Sequence, residues 1–197
     1  MSLKSHLKVI APWALFAVFV LTVAALQLTD FGPPRPAEPR VDIPIAINKG
    51  NSDLSLREFI NSCPAESIVI VSINGRPSKK IWEELESTMI RIGAQREINL
   101  VWGASLVIIG VMDAKLGSAA WRMGVQEIGV EIDEGDLIGK TGVRSPCKIV
   151  ARSIGDSEGI GRSIIAVNRV ASSPNEPGVN VVVLDRNGKV INRGVFE

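Results

Sequence analysis

The chain has 197 residues, 22 basic and 21 acidic, with a net charge of +1, so it lacks the electrostatic footprint of a nucleic-acid-binding protein. Tyrosine is absent and aromatic residues make up 5%, which leaves little for an aromatic stacking platform. The one histidine, His6, lies close to the N-terminus, which removes histidine-based acid–base and metal chemistry from everything after it.

Val9 to Leu28 is an unbroken apolar run, interrupted only by the uncharged Thr22 and Gln27. About 20 helical residues rise roughly 30 Å, the thickness of the hydrocarbon core of a bilayer. Lys4 and Lys8 precede the run and no basic residue follows until Arg35, so the positive-inside bias keeps the N-terminus cytoplasmic. A cleaved signal peptide ending near Val23-Ala24-Ala25 is the alternative. The length of the run favours a retained single-pass anchor, as do Pro12 and Trp13 near its start. Within it Ala11, Ala14, Ala17, Ala24 and Ala25 offer small side chains either for close helix–helix contact or as lipid-facing filler.

Phe31 to Pro44 is proline-rich and reads as an extended spacer or a disordered tether. The expected organisation is therefore a cytoplasmic tail (1–8), a transmembrane helix (9–28), a linker (29–44) and an exported domain (45–197), periplasmic or extracellular according to the organism.

Within that domain, Ser55 to Asn61 places Leu56, Phe59 and Ile60 on one helical face, ended by Cys63-Pro64. Ser67 to Ile73 is a short β-branched run closed by Asn74-Gly75. Ser78 caps a predicted helix over Lys79 to Ile92, in which Ile81, Leu85, Met89 and Ile92 recur at helical spacing before Gly93. Leu106 to Met112 is a second buried-type strand. After Trp121 the pattern is strand and turn: Val125–Ile132, Cys147–Ile154, Ser163–Val170, Val179–Asp185 and Lys189–Phe196. The last two flank Arg186-Asn187-Gly188, a hairpin signal. Helices cluster early and strands late, so the expected fold class is α+β.

Gly135 to Thr141 falls one residue short of a P-loop, and Gly142 and Pro146 leave no helix to follow it, so a glycine-rich β-connection is expected. Gly155 to Ser163 matches no phosphate-binding fingerprint and reads as a hairpin loop. Asp133, Glu134 and Asp136 lack the spacing of an EF-hand and read as a solvated acidic turn. No catalytic set, metal site or cofactor site emerges. Cys63 and Cys147, the only cysteines, lie on the exported side and form either one disulfide or two independent buried thiols.

Two segments resemble the interleukin-like EMT inducer (ILEI, PANDER-like) domain. Phe59 to Gly110 is similar to that family's helix, strand, helix and second strand, with matching positions at Ser67–Val71, Trp82 to Ile92 followed by Gly93-Ala94, and Leu106–Gly110. Gly103-Ala104-Ser105 stands where the family has an Arg-Asp and an aromatic. Pro177 to Glu197 resembles the family's hairpin, with Gly178, Asn180, Asp185, Gly188, Lys189 and Phe196 in register. In the family that hairpin comes first; here it comes last, an apparently permuted order. The resemblance implies sandwich-like antiparallel β-sheets flanked by two or three helices. It also implies a non-enzymatic module, as in secreted factors or the glycan-binding stem of a glycosyltransferase. The expected function is that of an accessory or structural subunit of a larger membrane protein complex, with the lipid bilayer and other subunits as partners. The alternative is a membrane-anchored carbohydrate-binding module. A glycan reader needs exposed aromatics, for which Trp102 and Trp121 are the candidates; Trp82 neighbours the apolar stripe and belongs with the core.

Overall fold

The computed structural model describes residues 54–95, 103–155 and 161–197. These all fall within one compact unit, Val41–Glu197. The apolar run with its five alanines, the proline-rich linker and Trp102 lie outside the described residues. Among the described residues no helix is long and apolar enough to cross a membrane.

Helix α1 is Leu56–Asn61. It is short, and its N-terminus is held by a reciprocal cap: Ser55 Oγ accepts from Glu58 N, and Glu58 Oε2 accepts from Ser55 N at 2.9 Å. These bonds hold the Glu58 carboxyl below its usual range, the backbone bond being the larger cause. Strand β1 is Ile68–Gly75, so the Asn-Gly expected to turn the chain instead extends the strand. Helix α2, Lys79–Met89, is capped by Ser78 and tightens into a 3₁₀ turn, Ile90–Ile92. Gly93 ends it in the left-handed region, at φ 78°.

The remaining strands are β2 (Ser105–Val111), β3 (Ala120–Gly124), β4 (Ile128–Ile132), β5 (Ile149–Gly155), β6 (Arg162–Val167), β7 (Val170–Ala171), β8 (Gly178–Leu184) and β9 (Val190–Phe196). The predicted Val125–Ile132 strand is shorter, Ile128–Ile132, because its first three residues form the exposed turn that follows β3. The predicted Ser163–Val170 strand divides, because Asn168 and Arg169 both adopt positive φ (50° and 68°) and reverse the chain. In the last hairpin only Gly188 takes positive φ, at 81°. The Asp185 carboxylate fixes that turn by accepting from Asn187 N and Lys189 N at 2.8 and 2.9 Å.

The fold class is α+β, mostly antiparallel, with two α-helices among the described residues. Two separate sheets were expected. Hydrogen bonding instead runs through a single nine-stranded sheet bent back on itself. One half is β9-β8-β1-β2-β3 and the other is β4-β5-β6-β7, each antiparallel throughout. The halves are joined where Asn74 and Gly75 of β1 run parallel to Ile154 and Gly155 of β5.

Strand β1 is apolar on both faces because both are covered. Val69, Val71 and Ile73 face the helices, packing with Leu56, Phe59, Trp82 and Leu85. Ile68 and Ile70 face the second half of the sheet, packing with Ile149, Ala151, Ile165 and Val167. This two-sided arrangement decides the fate of the cysteines. Cys63 belongs to the helix-side core and Cys147 to the core between the sheet halves, with β1 between them. Of the two readings, the structure has the two independent buried thiols.

At the joint, buried serines replace ladder bonds. The β1–β2 ladder ends at Ser72–Val107. Beyond it Ser72 Oγ donates to Arg152 O (2.6 Å), and Ser153 Oγ donates to Ile73 O (2.8 Å) while accepting from Leu106 N (3.0 Å). Ser105 Oγ accepts from Gly155 N at 2.8 Å. Gly155 is required here, since a Cβ would lie 2.3 Å from Gly103 O.

Candidate interaction surface

The two outer faces of the bent sheet differ. The helices cover the outer face of the β1 half. On the other half, strict alternation sends Ile149, Ala151, Ile165 and Val167 inward, leaving Val150, Ile154, Ile164 and Ala166 half-buried on the outside. Register places Val150 beside Ala166 and Arg152 beside Ile164. The result is an apolar strip carrying Arg152, with the exposed Arg162 at its end. No described helix packs on it.

At the β4 side this face deepens into a groove of about 360 Å³, lined by Arg122, Gly129, Val130, Glu131, Val150, Ala151 and Arg152. Among the described residues β4 pairs only with β5, and β3 only with β2, so each has one edge without a described strand partner. Gly129 opens the groove: opposite it stands Arg152, whose Cγ would lie 3.3 Å from a Cβ at this position. Around it, Arg152 meets Glu127 at 3.9 Å, and Lys148 binds both Glu131 and Asp133. Those two hydrogen-bonded carboxylates raise the Lys148 ammonium above its ordinary range. Arg122, reaching in from β3, is exposed and has no carboxylate partner among the described residues.

Other residues singled out in the sequence lie elsewhere. Trp121 is partly buried against the helix-side core, opposite Ile108, and does not stand out as an aromatic platform. Trp82 is a core residue. Burial pushes the Cys63 thiol up to about 11. The Cys147 thiol is also raised, by burial first and by the charge of Glu134 second, with Ser145 opposing in part.

The Gly135–Thr141 segment is a connection, with Ile138 fully buried and Gly139 packed so closely that a Cβ would lie 2.3 Å from Ser118 O. Among the described residues no group of three or more His, Cys, Asp or Glu side chains is placed to hold a metal ion. Sequence reasoning did not single out Arg122, Gly129 or Arg152. The one signal available was the alternation of Ile149–Gly155, which puts Arg152 on the face opposite its apolar neighbours.

The model of the Interleukin-like EMT inducer family matches residues 44–114, so this part of the chain is ILEI-like. The match covers less than half of the chain; its described part holds α1, β1, α2 and β2. No curated protein and no solved structure matches the chain.

Proposed function

We propose that this chain is a non-enzymatic, single-pass membrane protein whose ILEI-like domain serves as an accessory subunit of a larger membrane protein complex. The observation that carries the reading is the asymmetry of the sheet. Helices cover one outer face, while the other presents Val150, Ile154, Ile164 and Ala166 together with a β4 edge that has no strand partner among the described residues. Partly exposed apolar surface beside an unpaired strand suits a protein partner. A sugar-binding face calls for exposed aromatic rings, and Trp121 is turned toward the core.

In this proposal residues 9–28 anchor the domain in the bilayer with Met1 cytoplasmic and Glu197 exported. On the same reading the C-terminal hairpin stands in for one that the family carries on the N-terminal side. Its pairing along β1 from Ile68–Leu184 to Asn74–Gly178 supports that permuted order.

Extraction in mild detergent followed by sizing tests the proposal. The chain should emerge in a complex far larger than its own 21.2 kDa. A monodisperse monomer that binds oligosaccharides would replace the subunit reading with the glycan reader.

A further inference from the structure

We propose that Asn187 is a site of spontaneous covalent modification: it deamidates to aspartate and isoaspartate, and the isoaspartate form loosens the last hairpin from Cys147.

An asparagine followed by glycine is the pair in which this chemistry is least hindered, because glycine puts no side chain in the path of attack. The Gly188 amide nitrogen gives up its proton and attacks the Asn187 side-chain carbonyl carbon. The new C–N bond closes a succinimide ring, and the side-chain nitrogen leaves as ammonia. Water then opens the ring at either carbonyl. One product is aspartate; the other is isoaspartate, in which the main chain runs through the side-chain carbon. Nothing is oxidised or reduced, and water is the only co-reactant.

The described residues hold two Asn-Gly pairs, in opposite surroundings. Asn74 is 7% exposed, and its Nδ2 donates to Asn175 O at 3.0 Å. Its backbone pairs with Gly178 on one side and Ile154 on the other. A Cβ at Gly161 would lie 2.4 Å from Asn74 Oδ1, so the carboxamide has no room to turn. Ring closure at Asn74 therefore requires the joint of the sheet to open. Asn187 instead stands exposed at the tip of the β8–β9 hairpin, and its carboxamide has no hydrogen-bond partner among the described residues.

What restrains Asn187 is the turn. Gly188 N donates to Asp185 O at 3.1 Å. The Asp185 carboxylate holds Asn187 N and Lys189 N at 2.8 and 2.9 Å. All three bonds end on Asp185 and lie at a loop tip, where local opening costs least. Asp185 thus sets the rate as a positioning residue, by holding the attacking nitrogen in the turn.

The product matters because of what the turn packs on. A Cβ at Gly188 would lie 3.0 Å from Cys147 Sγ and 3.3 Å from Pro146 Cγ, so the turn lies against a buried thiol. Isoaspartate inserts one methylene into the main chain just before this contact, which displaces Gly188 and breaks the paired bonds to the Asp185 carboxylate. Aspartate leaves the main chain as it was and adds only a charge.

The test incubates the full chain in detergent micelles at mildly alkaline pH and reads its peptides by mass spectrometry, with isoaspartate counted by enzymatic methyl transfer. The peptide holding Asn187 should gain the one dalton that replacing NH2 by OH adds, mostly as isoaspartate, and the peptide holding Asn74 should not. Asp185→Ala should speed the change at least tenfold, and Asp185→Asn, which keeps an acceptor oxygen, should speed it less. Asn74 reports whether each variant is folded; if Asp185→Ala converts there too, the parent chain decides the proposal alone. Alkylation of Cys147 in the native state should rise at least fivefold in the aged chain, but not in fresh Asn187→Asp or aged Asn187→Gln. An unchanged mass at Asn187, equal conversion at Asn74, or aspartate without isoaspartate would overturn the site. Equal rates in the parent and a folded Asp185→Ala would remove the role of Asp185. Cys147 that reacts alike in fresh and aged chain, or as fast in Asn187→Asp, would overturn the coupling to the thiol.

Discussion

Replacing Ser153 by alanine should destabilise the domain out of proportion to the single oxygen removed. Ser153 is fully buried where the two halves of the sheet join, and its hydroxyl serves two backbone groups at once, donating to Ile73 O and accepting from Leu106 N. An unsatisfied buried polar group costs about 1–3 kcal/mol, so losing both partners costs about 3 kcal/mol. For a domain of this size that is a fall in Tm of about 6–12 °C. The neighbouring hydroxyls give an internal scale. Ser105 Oγ accepts from Gly155 N, and Ser72 Oγ donates to Arg152 O, one backbone partner each. Ser105→Ala and Ser72→Ala should each cost about half as much, and the order Ser153 first should hold. The double variant of Ser105 and Ser153 should depart from additivity, since both sit at one joint. Thermal unfolding of the full chain, followed by the fluorescence of the buried Trp82, measures all four. If Ser153→Ala lies within about 0.5 kcal/mol of the parent, the usual range of an inconsequential surface change, the idea that serines hold the halves together is wrong.

The glycines should fall into two groups. Gly110→Ala puts a Cβ 2.0 Å from Ile92 O and should prevent stable folding, whereas Gly135→Ala meets nothing and should cost only the strain of φ +85°, about 1–2 kcal/mol; expression and melting temperature separate the two. Phe59→Ala should cost about 3–5 kcal/mol, since it removes a fully buried ring packed edge-on against Phe196 at 5.3 Å; denaturant unfolding measures it. Ser55→Ala removes the cap of α1 and should cost about 1 kcal/mol by the same assay.

Cys63 gives a pH dependence. Its thiol loses its proton near 9 when unfolded and only at about 11 when folded, so the folded state holds the extra proton between those values. Its contribution is complete below about 9 and is lost as pH rises toward 11; Cys63→Ala should flatten the alkaline slope of stability in that window. Two thiols should titrate in denaturant without reductant. A mass two daltons lower in the unreduced protein would show a disulfide and contradict the buried free thiols.

The sequence by itself determined the local elements, because their signals are local. Helical spacing of Leu56, Phe59 and Ile60, and of Ile81, Leu85 and Met89, gave both helices, since each needs one apolar stripe. The doubly apolar runs at Ile68 and Leu106 marked central strands because only a strand covered on both faces carries them. Boundaries were lost where conformation depends on distant packing. Asn74-Gly75 looks like a turn but continues β1, because β5 arrives alongside and pairs with it.

Tertiary structure alone decided the rest. Joining the sheet halves through a short parallel contact depends on bonds between residues about eighty positions apart, such as Ser72 with Arg152, which no local pattern encodes. The same bend separates Cys63 from Cys147 by a layer of strands, an outcome that cysteine spacing cannot show. It also brings Arg122 of one half to the groove of Gly129 and Arg152 in the other, and leaves β4 with one edge unpaired among the described residues. A strand's sequence fixes which residues share a face, because side chains alternate. Which face meets a partner, and which edge stays open, is fixed only when the sheet closes on itself.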